Sequence, residues 1–425
     1  MDTDLEDNMD GKTRDRIMAF IEEQDIRFIK LAFCDIFGQL KNISISSKSL
    51  PRAMEQGVGL NAASVRGFLN MDDSDILLFP DPDTLTILPW RPTDGKVARF
   101  FCEIRQSDGR PFEGDVRSML KAYEKSLKKA KTDLQARTEC EFYLFKKDAE
   151  GNPTDIPMDR ASYFEASPID KGENIRREIC LTMEQMGITY VASHHEKGPG
   201  QNEIRFSPSS LLDAADHLVT FRDIVKNTAD RMGLFASFLP KPLFNENGSD
   251  LAISLSLPGA GESEKCTRAR QMTAGILRRI EEITLFLNPI ANSYERIGTF
   301  EAPSVVNYGT GNGNYLLKIH PETARVKVRS TDPSCNPYLA CLLLAGAAME
   351  GVRENLDPDD FQTGSELPDT LNDAIRRAEN SGFVKTMIPE ILFSKFIQAK
   401  RDDWEESSLS GDPMLKAKNM EFPVT

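Results

Sequence analysis

Residues 138–145 constrain this chain more than any other segment. Their side chains alternate, so Cys140, Phe142 and Leu144 fall on one face of a strand and Glu139 and Glu141 on the other. Two carboxylates two residues apart on a mostly apolar strand repel each other unless a cation lies between them. A solvated strand edge and a hard-metal site both fit the pattern. A second acidic group lies at 193–206, where Glu196 and Glu203 flank the turn Gly198-Pro199-Gly200. A tight turn brings the two glutamates together. His194 and His195 are adjacent on a strand and point opposite ways, so at most one faces such a site. A decorated hairpin accounts for this cluster equally well on its own. His217 and His320 read as ordinary helix and strand residues.

Composition narrows the function classes. The 425 residues hold 52 Lys and Arg against 66 Asp and Glu, a net charge of −14, which argues against nucleic acid as a partner. The longest nearly unbroken apolar run, 338–349, is short of the ~20 residues of a membrane span. The acidic start, 1–10, is no secretory signal, and seven widely spaced cysteines without a CxxC suit reduced, buried thiols. Both point to a cytoplasmic protein. With only four histidines, metal chemistry must rest on carboxylates.

The predicted organisation is a disordered tail over 1–12, a strand-rich domain over 13–108 and a larger domain over 109–425. The first domain has a helix at 13–25, strands at 26–33, 39–45 and 98–104, and short apolar segments at 75–80 and 84–89. Asp115 offers an N-cap to a helix whose apolar positions begin at Val116. Further helices are predicted at 211–232, closed by Gly233, and from Met272 to an end at Asn288-Pro289. A helix apolar all round, hence buried, opens at Pro337. Residues 353–381 are charged and read as surface.

Taken together, the ordered motifs resemble class I glutamine synthetase over roughly 16–350. They are the Glu139-x-Glu141 strand, His194-His195-Glu196 with Gly200-Gln201-Asn202-Glu203, and Lys241-Pro242-Leu243-Phe244 followed by Asn247-Gly248-Ser249. They continue with Asn292-Ser293-Tyr294-Glu295-Arg296, Phe300-Glu301-Ala302-Pro303, Arg329 with the segment 332–339, and the segment 71–81. The resemblance implies an α+β fold: a β-grasp-like N-terminal domain and a catalytic domain with a curved antiparallel sheet backed by helices. It implies a homo-oligomer, a hexameric ring or two stacked as a dodecamer, with sites between neighbouring subunits. The implied family reaction phosphorylates glutamate with ATP and lets ammonia attack, with two divalent cations neutralising the phosphate.

By this resemblance Glu141, Glu196 and Glu203 hold one Mg2+ or Mn2+. Glu139 belongs to a second metal site whose other two ligands are absent. The histidine's position falls on Ala252, and the remaining glutamate's on Lys327. A divalent cation with two carboxylates is about neutral, and so is Glu139 with Lys327. The expectation is therefore that the Lys327 ammonium sits in the vacant metal position, paired with Glu139. Two family arginines fall on Gly311 and Gly313 of the loop 308–314, which reads either as a relaxed loop or as a backbone anion nest. Asn61 stands where the family has a catalytic aspartate, and an amide is no general base.

Other implied groups survive. Asn247, Gly248, Arg296 and Arg329 match the glutamate-binding wall, Glu301 the flap glutamate, and Lys318 and Arg325 keep positive charge near the nucleotide region. These substitutions imply that glutamine synthesis is lost or strongly reduced, leaving a pseudoenzyme that senses a glutamate- or glutamine-like small molecule or binds a partner. ATP binding then stays open. Mixed rings with an intact paralogue are one form this could take. The alternatives are an active γ-glutamyl ligase of altered amine or acid specificity, and a single-metal γ-glutamyl amide hydrolase.

Overall fold

Alternating apolar residues build the first sheet. The computed structural model describes residues 11–68, 75–91, 94–259, 261 and 263–410. The chain divides into two units, 1–118 and 119–425. In the first, α1 (Gly11–Glu23) leads into β1 (Ile26–Cys34) and β2 (Leu40–Ser46). The Asp35 carboxylate makes their turn by accepting from the Phe37 and Gln39 amides, both at 3.0 Å. Then follow α2 (Leu50–Gln56), β3 (Val58–Asn61), β4 (Asp75–Pro80), β5 (Thr86–Ile87) and β6 (Lys96–Gln106). The sheet order is β2-β1-β6-β4-β3, with β5 also on β6, and β1 runs parallel to β6. Ile29, Leu31, Phe100 and Ile104 form part of its core. Residues 1–10 of the expected tail, and 71–74 of the segment 71–81, lie outside the described residues; Gly11 already belongs to α1.

The helix α3 (Val116–Lys129) starts where Asp115 predicts it, with the Ser118 amide donating to the Asp115 carboxylate at 3.0 Å. The second unit is built on one long strand, β7 (Gln135–Lys147). After it come β8 (Pro153–Pro157), α4 (Glu173–Gln185), β9 (Tyr190–His195), β10 (Gln201–Phe206), β11 (Ser209–Ser210), α5 (Leu211–Arg231), β12 (Leu234–Ser237) and β13 (Leu251–Ser256). The chain continues through α6 (Lys265–Leu287), α7 (Ala291–Arg296), β14 (Tyr308–Gly309), β15 (Leu317–His320), β16 (Arg325–Val328) and α8 (Pro337–Arg353). It ends with α9 (Leu371–Glu379), α10 (Gly382–Met387) and α11 (Glu390–Ser410). The sheet runs β14-β15-β16-β13-β7-β10-β9, with β8, β11 and β12 also pairing β7. All its pairs are antiparallel except β14 with β15.

Period two does what the sequence predicts on β7. Cys140, Phe142 and Leu144 are fully buried, and Phe142 meets Phe221 of α5 edge-on at 5.8 Å. Glu139 and Glu141 are left on the opposite, polar face. Asn336 caps α8, accepting from the Tyr338 amide at 3.0 Å, and the helix is buried nearly all round. Residues 353–381 are less superficial than their charge suggests, because α9 is amphipathic and buries Leu371, Ala374, Ile375 and Ala378. All seven cysteines are free, and only Cys266 is exposed. Among the described residues no helix is long and apolar enough to cross a membrane.

The helices α6 and α8 meet backbone to backbone. A Cβ on Gly275 would overlap the Ala347 carbonyl oxygen, and one on Gly351 would overlap the Gln271 carbonyl oxygen. Gly275→Ala is therefore expected to cost about 1–3 kcal/mol of stability, read by urea denaturation. No measurable loss would mean that the crossing opens freely.

Candidate active site

Residues directly opposed across neighbouring strands share a face, so register alone assembles the polar surface. Glu203 of β10 stands between Glu141 of β7 and His194 of β9. Arg205 and Ala252 stand on either side of Glu139. One row further, Lys318, Lys327, Ser254 and Arg137 run across β15, β16, β13 and β7.

The carboxylate end of this surface is compact. His194 Nε2 lies 2.9 Å from Glu203 Oε1, and its Nδ1 lies 3.4 Å from Glu196 Oε1. His194, Glu196 and Glu203 each offer a ligand atom within 4.8 Å of the others. Glu141 joins through its field, while its Oε2 accepts from the Asp250 amide and from Gln201 Nε2, both at 2.8 Å. Burial, then the charges of Glu196, Asp250 and Glu203, push the Glu141 carboxyl well above its ordinary range. Burial and the Glu203 charge push Glu196 up to about 7. Burial alone would raise Glu203 too, but the His194 hydrogen bond and the Arg205 charge bring it down. Crowded carboxylate oxygens held against their own repulsion are the donor set a hard divalent cation takes. His194, Glu196 and Glu203 could hold such an ion, while Glu141 stands opposite Glu203 with one oxygen already accepting two hydrogen bonds.

A buried brace fixes the turn between Glu196 and Glu203. His195 turns away from the site, its Nε2 3.0 Å from Asp159 Oδ1. The same oxygen accepts from the Gly200 amide at 2.9 Å. Arg176 pairs with Asp170 and donates to Asn202 Oδ1 at 2.6 Å. Asp159, Asp170 and His195 also cluster closely enough for a metal, but their partners are already supplied by the protein.

Glu139 is different. Lys327 Nζ donates to its Oε2 at 2.7 Å, and Arg205 Nε lies 3.5 Å from the same oxygen. Arg137 lies 3.8 Å from its other oxygen. Ala252, opposite Glu139, brings no donor atom. One carboxylate facing three cations does not fit a second metal ion. Lys318 is held below its ordinary value by burial and then by Arg329 and Lys327. Arg325 is lowered by burial and then by Arg137.

The remaining predicted residues have partners of their own. Gly248 admits the Arg296 side chain, which a Cβ would overlap. Arg296 itself is 1 % exposed and donates to the Ser330 carbonyl at 2.6 Å, with Nη1 3.4 Å from Asp250. Its guanidinium is engaged by backbone carbonyls and Asp250 within the protein. The Asn247 carbonyl accepts from Tyr143 Oη at 2.5 Å. Arg329 donates to Asn314 Oδ1 at 2.8 Å and to the Glu301 carbonyl at 2.9 Å. The exposed Glu301 carboxylate pairs with Lys197, whose Nζ lies 5.5 Å from the Tyr163 ring centre. The glycines at 309 and 313 have a packing reason, since a Cβ on either would overlap the Tyr315 ring. In the first unit, Asn61 is exposed and ends β3 opposite Asp75. Arg205, Arg137 and Ser254 are the neighbours that the motifs do not reveal, and His194 is the one of the two adjacent histidines that faces the carboxylates. Period two on β9, β10, β7 and β13 carries the signal for each.

The raised Glu196 carboxyl has a stability consequence. Between about pH 4.5 and 7 the unfolded chain has lost this proton and the folded chain keeps it, so stability falls as pH rises through that window. Each tenfold gain in proton affinity on folding is worth about 1.4 kcal/mol. Denaturation curves of the metal-free protein should show this fall, Glu196→Gln should flatten it, and Mn2+ should offset it near pH 7.

Known proteins share this architecture. A family model for the glutamine synthetase β-grasp domain matches residues 25–107, and one for the glutamine synthetase catalytic domain matches 113–415. The chain is 37% identical over 423 residues to a glutamine synthetase of Methanosarcina mazei, covering 93% of this chain and 94% of the other. It is 36% identical over 424 residues to one of Clostridium saccharobutylicum, covering 93% and 95%. A solved structure of ligand-free GmaS superposes with a TM-score of 0.83 at 25% identity, covering 92% of this chain and 96% of that one. A GmaS–ADP complex superposes with a TM-score of 0.82. With two domain models matched in order along one α+β chain, and relatives aligned nearly end to end, this chain belongs to the glutamine synthetase family.

Proposed function

We propose that this chain binds one divalent cation and a small glutamate-like acid, and that its ability to join glutamate and ammonia at the expense of ATP is lost or strongly reduced. The observation that carries the reading is the 2.7 Å contact of Lys327 Nζ with Glu139. Family members normally use ATP and divalent metal. A metal ion supplied at Glu141, Glu196 and Glu203 would polarise bound oxygens there. Lys327 neutralises Glu139 as a second cation would, but a singly charged ammonium cannot bridge phosphate oxygens as a divalent metal ion does. Removing one preorganised charge stabiliser commonly costs ~100–1000-fold in rate. Asn61 adds a second deficit, because an amide cannot deprotonate ammonium.

The chain then acts as a sensing or partner-binding oligomer. Its family is generally oligomeric. A hexameric ring or stacked dodecamer, alone or mixed with an intact paralogue, is the form we propose. Asn247, Gly248 and Arg329, with Arg296 as their support, form the acid pocket of this reading. Lys318 and Arg325 face the nucleotide side, and Glu301 serves as flap. The domain division at 108/109 is supported by the model matches ending at 107 and resuming at 113.

A second reading, an active γ-glutamyl ligase with a different amine or acid, is favoured by near-complete alignment with glutamine synthetases. The ADP held by a protein of the same fold favours it as well. Manganese titration and an ATP-coupled assay separate the two. The expected result is one Mn2+ per chain and no glutamine formed, with Ala252→His plus Lys327→Glu raising the stoichiometry to two. Two ions on the unaltered chain, or glutamine formation at roughly 1 per second or faster, would overturn the proposal.

A further inference from the structure

The side chain of Gln201 ties together three parts of the candidate site. It opens β10 and is 1 % exposed. Its Nε2 donates to Glu141 Oε2 at 2.8 Å and to the Gly248 carbonyl at 3.1 Å. Its Oε1 accepts from the Gly198 amide at 2.9 Å, with Tyr143 Oη 3.4 Å away. A primary amide has two N–H donors, and here each has its own acceptor. Turned over, the amide would set its oxygen against a carboxylate and a carbonyl, so the hydrogen bonds fix its orientation.

Two glycines shape the space around that amide. A Cβ on Gly198 would overlap Tyr143 Oη and crowd Gln201 Oε1, so glycine there makes room for both polar groups. A Cβ on Gly248 would overlap the Arg296 side chain and the Pro240 carbonyl oxygen, so the backbone at Gly248 is closely packed. Tyr143 reaches the preceding residue of the same wall, donating to the Asn247 carbonyl at 2.5 Å. Glu141 Oε2 also accepts from the Asp250 amide at 2.8 Å, which leaves the other carboxylate oxygen for a cation. Moving either Glu141 or Gly248 away from Gln201 would strand a buried N–H, and an unpaired buried donor is costly.

We infer that Gln201 is a positioning residue that couples two ligands: a divalent cation at the carboxylates and a small acid at the Asn247-Gly248 wall each bind more tightly when the other is present. The inference rests on the reading that the chain takes both. A cation that fixes Glu141 also fixes the amide, and the amide fixes the Gly248 carbonyl. An acid seated on the wall acts back through the same two bonds. Linkage makes the effect reciprocal, with one factor for both directions, and such factors typically run from about 5- to 150-fold. Direct contact between cation and acid would add to the coupling without depending on Gln201.

The test is calorimetric titration of the full-length protein with L-glutamate, in EDTA and in saturating Mn2+, and with Mn2+ with and without glutamate. Glutamate affinity is expected to rise roughly ten-fold with Mn2+, and Mn2+ affinity by the same factor with glutamate. Gln201→Met keeps the length of the side chain and removes its polar atoms, and it should cut the factor to about two-fold or less. Gln201→Asn draws the amide back by one methylene and gives the same result where the methionine variant does not fold. Tyr143→Phe loosens the wall without touching Glu141, so it should weaken glutamate equally in EDTA and Mn2+ and leave the factor as it was. A merely structural role for Gln201 would do the same. An undiminished factor in both Gln201 variants, or an equal loss of it in Tyr143→Phe, would therefore overturn the inference. If both ligands bind the unaltered chain independently, this inference alone fails. If Mn2+ or glutamate does not bind it at all, the reading on which the inference stands fails as well.

Discussion

The second unit depends on how β7 compensates two carboxylates that it holds two residues apart on one face. The apolar face of that strand is locked into the core by Phe142 and Leu144, so the glutamates cannot turn away. The molecule solves the problem differently at each end. Around Glu141 it adds more carboxylate, from Glu196 and Glu203, and leaves protonation or a cation to settle the balance. Around Glu139 it supplies covalently tethered charge: Lys327 at 2.7 Å, with Arg205 and Arg137 behind it. A buried pair of this kind adds little net stability. Removing the lysine alone would nonetheless leave Glu139 short of its closest counter-charge.

The two solutions need different scaffolding. A cation site must keep its ligands apart by a fixed distance while they repel, and that requires a rigid turn. The turn after Glu196 has such a brace, since Asp159 holds both His195 and the Gly200 amide. Gly200 sits at a φ of 69°, a conformation that glycine adopts without steric cost. The Lys327–Glu139 pair needs no comparable turn. Both partners project from regular strands, and β13 between them contributes only Ala252 and Ser254.

Local pattern carried much of this into the sequence. Period two on β7 exposes the paired glutamates, and a period-two reading of His194-His195 leaves room for one histidine at the site, which is His194. The Asp115 cap and the closing Gly233 are equally local signals. Cross-strand neighbours are not local. That Arg137, Ser254 and Lys327 form one row follows from the registers of three strands scattered between residues 135 and 328. No spacing in the chain encodes those registers. Arg296 shows the same limit from another side. Its motif marks it as part of the wall, while its burial comes from carbonyls of Ser330 and Thr331 more than thirty residues away. The glycines at 309 and 313 read as freedom, yet they make room for Tyr315. Charge misleads over α9, because an amphipathic helix carries its surface charge and its buried stripe in the same nine residues.

Tethering a charge also changes what the site can respond to. An ion bound by carboxylates comes and goes with its free concentration and with pH, since the ligands must lose protons first. An ammonium on a protein stem is held beside Glu139 by the fold itself. On the proposed reading, sensitivity to divalent cations lies at the Glu141 end of the surface, where burial and the Glu203 charge push Glu196 up to about 7. At the Glu139 end the counter-charge is part of the chain instead. One strand thus carries two glutamates, two residues apart, that the fold balances differently, one among further carboxylates and one against tethered cations.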